Sequence, residues 1–315
     1  MKAILHALSY GGIEVDASRR LADLKKLDLV RIFCRKLDAE IYNEEYKVPI
    51  RLYFASEEDM RGAGERNAGS AAAARRSLPA LLFFHGGGWV TESVENYDRV
   101  CARMAQATGR LVISVEYRLA PEHHFPVGLK DCYAAARELY AGRFLPEVDP
   151  ARITVMGDSA GGNLAAAVCM MARDTGDFQV RKQILIYPAV NNCYTEKSAY
   201  PSVRENGEDY LLTAKKMEDY LSLYQSSQED RTNPYFAPIL AQNLRDMPRT
   251  LILTAEYDPL RDEGEAYGKR LLDAGNEVEM HRIPDALHGF FALGIQFLHV
   301  QESFEYINGF LGEAG

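Results

Sequence analysis

From residue 79 onward the sequence alternates short apolar runs with amphipathic segments, and no other property of the chain restricts its fold as strongly. Runs at 80–84, 111–117, 153–156, 183–187, 251–256 and 278–283 read as strands. Between them, 97–108 (closed by Gly109), 127–140, 163–173, 263–274 and a last segment before Phe310 carry apolar residues at helical spacing. Such alternation predicts an α/β protein with a mostly parallel central sheet and helices on both faces. The rhythm breaks once, between 188 and 249, where a polar, tyrosine-rich, helical stretch without a strand signal reads as an insertion over one end of the sheet; its core lies at about 189–232.

Upstream, Asp16-Ala17-Ser18 looks like a helix start, and Leu21, Leu24, Leu27 or Leu29, Phe33 and Leu37 recur at helical spacing. Residues 1–45 are therefore expected to be helical, with the α/β body occupying 46–315. Residues 46–54 alternate like a strand but contain Pro49, which assigns them to a sheet edge. Residues 57–77, rich in Glu, Arg, Gly and Ala, read as an exposed, mobile loop.

The chain of 315 residues can bury a full core without disulfide or metal staples. A formal charge of −9 and the lack of a basic stripe argue against nucleic acid or an anionic membrane as partner. Five scattered cysteines without a C-x-x-C pair suggest neither a disulfide framework nor a zinc site. With no signal-peptide pattern, no N-x-S/T sequon and no apolar run near 20 residues, a cytoplasmic chain is expected. Oligomeric state is left open, and a homo-oligomer is compatible with all of this.

Gly157-Asp158-Ser159-Ala160-Gly161 lies directly between a strand and a helix. A serine hydroxyl is a poor nucleophile at neutral pH, so it must be lifted out of the sheet, exposed to a base and seated at a helix N-terminus. G-x-S-x-G at a strand-to-helix turn does this, the glycines removing Cβ clashes. Alone, the motif is also compatible with an ordinary tight turn, so its partners decide.

In an open α/β sheet, ligands gather at the carboxyl ends of strands. Four polar groups stand just past strand ends: His85-Gly86-Gly87-Gly88-Trp89, Ser159, Asp258 and His288. The glycine run lacks the lysine pattern of a phosphate loop and reads better as an oxyanion hole, with the amides of Gly86, Gly87 and Ala160 as donors. For the base, the order Ser, acid, His leaves His281, His288 and His299. His281 falls inside a strand and His299 on an apolar helix, whereas His288 sits in a loop at the functional edge. Asp262, Asp273 and Asp285 compete for the acid, but only Asp258 stands immediately at a strand end. Asp158 reads as a brace of the elbow. Glu122-His123-His124 lacks metal-site spacing, and neither a metal nor another cofactor is implied.

Together with Tyr117-Arg118-Leu119-Ala120-Pro121-Glu122-His123 and Asp258-Pro259-Leu260-Arg261-Asp262-Glu263-Gly264, these blocks resemble the hormone-sensitive lipase family of bacterial esterases, in the subgroup with aspartate before the nucleophile. The match runs from about residue 78 to the C-terminus. It implies an α/β-hydrolase fold, a cap built from the N-terminal helices and the insertion, and a glycine loop organised by His85. It also implies a serine carboxylesterase acting through Ser159, His288 and Asp258 on a small short-acyl ester. Trp89 and Tyr187 are candidate pocket walls. An amidase, deacetylase or formamidase uses the same triad, and non-catalytic receptors of related fold typically lose one of its members.

Overall fold

The computed structural model describes residues 15–23, 35–44, 46–66, 77–293 and 298–312. Eight strands form one sheet in the order β1-β2-β4-β3-β5-β6-β7-β8. The six carboxyl-terminal strands are mutually parallel: β3 (Leu78–Phe84), β4 (Leu111–Val115), β5 (Val148–Asp158), β6 (Lys182–Ile186), β7 (Arg249–Tyr257) and β8 (Val278–Leu287). The central ones are almost continuously apolar because both their faces are covered.

The period of two along each strand divides the interior into two cores. Ala80, Leu82 and Phe84 of β3 face one, and Leu81 and Phe83 face the other. Helices α4 (Val127–Tyr140), α5 (Ala160–Thr175) and α8 (Arg261–Asp273) close the first core through Leu129, Leu164 and Leu271. Helices α3 (Asp98–Thr108) and α9 (Leu298–Leu311) close the second through Met104 and Phe304. In the stretch between β6 and β7 the structure has helices α6 (Pro201–Glu205) and α7 (Ala214–Tyr224) with two short 3₁₀ turns and no strand. Helix α7 starts where Thr213 accepts a side-chain cap from the Lys216 amide.

Three expectations for the N-terminal region are corrected. Within residues 1–45, helix α1 spans only Val15–Asp23, and Lys36–Asn43, which includes Leu37, is strand β1. Residues 1–14 and 24–34 lie outside the described residues. Strand β2 (Tyr46–Tyr53) is not an edge, because β1 covers its outer side. Pro49 is tolerated because its carbonyl faces Glu116, whose amide it accepts at 2.9 Å just past the end of β4, so the missing N–H falls beyond the ladder. Residues 57–66 of the expected loop form helix α2 (Glu57–Arg66), and 67–76 lie outside the described residues. No described helix is long and apolar enough to cross a membrane.

Candidate active site

Strand β5 ends at Asp158 and α5 begins at Ala160, so Ser159 alone makes the turn, at φ 53° and ψ −118°. This is the left-handed region that side chains avoid, and it is held by close backbone packing. A Cβ on Gly161 would collide with the Phe84 carbonyl oxygen and lie 2.6 Å from its carbon and 2.7 Å from the His85 oxygen; one on Gly157 would lie 2.8 Å from the Gly162 nitrogen. The Ser159 amide donates to the Ile186 carbonyl (2.9 Å), and the Ser159 carbonyl accepts from Asn163 (3.1 Å) and Ala189 (3.2 Å).

From the far side of the sheet, Asp258 follows β7 and His288 follows β8. The His288 Nε2 lies 2.9 Å from Ser159 Oγ, and its Nδ1 lies 2.7 Å from Asp258 Oδ2. Asp258 is fully buried, and its other oxygen accepts from the Leu260 amide at 2.9 Å. A carboxylate can only accept, so Nδ1 carries the proton and Nε2 offers a lone pair to the serine hydroxyl. The competing residues are engaged elsewhere. His281 bonds Glu279 at 2.8 Å, Asp262 accepts from the Ser202 amide at 2.7 Å, and Asp273 pairs with Lys269 at 2.6 Å.

The glycine loop departs from expectation at one position. The Gly86 amide donates to Asp158 Oδ1 at 2.8 Å, so it is already satisfied and cannot serve as an oxyanion donor. Asp158 also accepts at Oδ2 from Tyr97 (2.9 Å) and Tyr187 (3.3 Å), tying the elbow to the loop. No described residue accepts from the amides of Gly87, Gly88 or Ala160. Gly87 (φ 109°) and Gly88 (φ 62°) turn their backbone into the site. His85 is buried, donates from Nδ1 to the Gly86 carbonyl at 2.8 Å and stacks on Tyr117 at 4.4 Å.

The α/β hydrolase fold family matches residues 81–292, two thirds of the sequence. This chain belongs to that family. Among α/β hydrolases, the esterase LipI of Mycobacterium tuberculosis is 38% identical over 214 residues, which cover 67% of this chain and 65% of LipI's own length. The ethyl acetate hydrolase of Pseudomonas putida is 35% identical over 250 residues, covering 79% of this chain and 73% of that protein. A hyperthermophilic esterase from Pyrobaculum calidifontis superposes with a TM-score of 0.82 at 36% identity, over 98% of this chain and 96% of that one. These relatives put this hydrolase among the hormone-sensitive-lipase-like esterases.

The hydrolase fold leaves a cavity of about 200 Å³ above Ser159 and His288. Gly87, Gly88 and Ala160 line one side, and Leu212, Met217 and Tyr220 descend from the insertion. Trp89 lines it as expected of a wall residue, although its ring is buried and stacks on Tyr224 at 4.6 Å. Tyr187 does not line it. Its ring packs behind His288 at 4.7 Å, and its hydroxyl is directed to Asp158. Burial pushes the Asp158 carboxyl above the usual range, opposed by the Tyr97 hydroxyl, the nearby His85 and His288, and the Gly86 amide. Burial likewise raises the Tyr97 phenol, with the Asp158 and Glu92 charges adding to it. Sequence reasoning missed Gly88, which a run of three glycines cannot single out, and Tyr97 and Tyr220, for which no local pattern exists.

Proposed function

We propose that this chain is a serine carboxylesterase that hydrolyses small, short-acyl esters through an acyl-enzyme intermediate. The observation that carries the reading is the continuous hydrogen-bond line from Ser159 Oγ through His288 to Asp258, ending on the cavity floor. Ser159 Oγ attacks the ester carbonyl while His288 Nε2 takes its proton; Asp258 holds the tautomer and stabilises the imidazolium. The carbonyl oxygen becomes an oxyanion against the amides of Gly87, Gly88 and Ala160, the last at the positive end of α5. The imidazolium then protonates the departing alkoxide. Water, deprotonated by His288, attacks the acyl-serine, and collapse of the second tetrahedral intermediate returns the carboxylic acid and the free hydroxyl.

A cavity of about 200 Å³ is below the ~300–1,000 Å³ of drug-sized sites, which supports acetyl to butyryl esters over long acyl chains. The P. putida relative, an ethyl acetate hydrolase, points the same way. Asp158 supports assignment to the aspartate-before-nucleophile subgroup. We further place the enzyme in the cytoplasm, acting on a small-molecule ester with no nucleic acid, membrane or cofactor; the free Cys101, Cys132, Cys169 and Cys193 suit a reducing compartment. A panel of chromogenic esters from acetate to long acyl chains, run beside an anilide and the Ser159→Ala variant, tests the reading. Rates should peak at short chains and vanish in Ser159→Ala. A maximum at long chains refutes the short-acyl claim, anilide rates equal to ester rates favour the amidase, and a fully active Ser159→Ala refutes the mechanism.

A further inference from the structure

We propose that Tyr220, on helix α7 of the insertion, is a positioning residue for the oxyanion hole, so that the cap and the anion-binding loop form one unit. The inference rests on the reading of Gly87 and Gly88 as oxyanion donors. Two adjacent glycines at positive φ have no side chains of their own to anchor them, and glycine has the most backbone freedom to lose. A preorganised donor pair therefore needs its geometry imposed from outside.

The body of the protein grips this loop on either side of Gly88, at Gly86 and Gly87 and at the Trp89 carbonyl, which accepts the Ala120 amide at 2.9 Å. Asp158 holds the Gly86 amide, and Thr91 folds back to donate its amide and its hydroxyl to the Gly87 carbonyl, both at 2.9 Å. Gly88 is held from the cap side. The Tyr220 ring lies so close to its Cα that a Cβ there would stand 2.5 Å from the ring Cγ and Cδ1. Thr91, which fixes the Gly87 carbonyl, lines the same cavity as Tyr220. One helical turn later, Tyr224 stacks flat on Trp89, with 4° between ring planes, and its carbonyl accepts the Phe125 amide at 2.7 Å. Residues i and i+4 share a helix face, so one edge of α7 presses on both Gly88 and Trp89. From α1, Arg19 completes the grip by donating to the carbonyls of Val90 (2.9 Å) and Ala120 (3.0 Å) while pairing with Glu122 at 2.7 Å.

Tyr220 also lines the cavity, so a wall role and a positioning role must be separated by what each moves. A wall acts on the bound substrate and changes KM or chain-length preference. A template for the oxyanion donors acts where charge develops, so it changes kcat and leaves KM nearly alone. The experiment measures kcat and KM of Tyr220→Leu and Tyr220→Phe on p-nitrophenyl acetate and butyrate. It adds the inhibition constant of a trifluoromethyl ketone, whose serine adduct carries a tetrahedral oxyanion.

Complete loss of one oxyanion donor costs about 10² to 10³ in turnover, so displacing the loop in Tyr220→Leu should lower kcat by roughly 10- to 100-fold on both esters. KM should stay within about twofold, and the ketone should weaken in parallel with kcat. Tyr220→Phe keeps the ring that presses on Gly88, so its kcat should stay within about twofold of wild type. Unchanged kcat in Tyr220→Leu with an altered KM or acyl preference overturns the inference and leaves Tyr220 a pocket wall. Should Tyr220→Leu not fold, the same kcat-against-KM split in Tyr220→Met decides. An active wild type with a ring-less Tyr220 variant of normal kcat refutes only the positioning role; a wild type no faster than Ser159→Ala refutes the esterase reading and this inference with it.

Discussion

Glu263 gives this enzyme a pH-dependent stability whose sign and size follow from its surroundings. It sits on α8, five positions after Asp258, and is fully buried. Its Oε1 accepts three hydrogen bonds, from the Val190 amide (2.9 Å), the Asn191 amide (3.2 Å) and the Tyr194 hydroxyl (2.7 Å). Its Oε2 has no hydrogen-bond partner among the described residues. Burial therefore dominates and pushes the carboxyl from its ordinary 4.5 up to about 8, against the Tyr194 hydroxyl and the two amides, with the Asp258 charge adding to the rise. The native state holds this proton more tightly than the unfolded chain does. The resulting stability is fully present below pH 4.5 and is lost as pH rises through about 8. At ~1.36 kcal/mol per pH unit, the span from 4.5 to about 8 corresponds to about 5 kcal/mol. Glu263→Gln preserves the acceptor and cannot ionise, but it puts an amide nitrogen where Oε2 lacks a partner, at a cost of ~1–3 kcal/mol. The variant should thus be somewhat less stable than wild type at pH 5 and more stable at pH 9, by about 2–4 kcal/mol, or roughly 3–6 °C in Tm for a chain of 315 residues. Thermal melts of both proteins across that range check this, because all other titrating groups cancel in the difference. Parallel curves with no crossing would falsify the account of Glu263 as a carboxyl held neutral by burial.

Two further substitutions test the construction of the site. Gly161→Ala must move α5 about 1 Å from the backbone of Phe84 and His85, from 2.6 Å to an ordinary carbon contact; kcat/KM on p-nitrophenyl butyrate should fall at least ~10²-fold, and a wild-type rate would show that the close approach is dispensable. Asp158→Ala removes the acceptor that the Gly86 amide and the Tyr97 and Tyr187 hydroxyls share in a buried site. At ~1–3 kcal/mol for each hydrogen bond lost, Tm should drop by roughly 10 °C with a parallel loss of kcat; an unchanged melt would mean that water replaces the carboxylate.

The parallel strands, their helices and the placement of Ser159, Asp258 and His288 at strand ends were legible because burial on both faces writes long apolar runs, and turns after them carry distinctive residues. Strand β1 was not, since only Ile41 of its eight residues is buried and an exposed edge strand has no alternating pattern to read. Leu37, half-exposed in that strand, happened to continue the spacing of the preceding leucines. Helix α2 (EEDMRGAGER) is almost wholly polar, so no apolar stripe announced it. The three glycines after His85 are identical as letters. Their different duties come from a carboxylate 72 residues away that occupies the first amide. The tyrosines of the insertion carry meaning only through what they press against, and that information is tertiary.

The strand order also dictates when the enzyme becomes competent during its own synthesis. The ribosome completes the glycine loop and Ser159 early, but His288, the base of the proposed mechanism, lies 129 residues further along the chain. Domains made at about 5–20 residues per second leave an interval of several seconds or more in which β3 to β6 can pair while no proton acceptor exists for the serine. By the proposed mechanism, a nascent chain is hydrolytically silent until β8, the last strand in both sequence and sheet order, emerges and docks on β7. Translation that stops between the elbow and this strand releases a fragment bearing Ser159 but lacking His288.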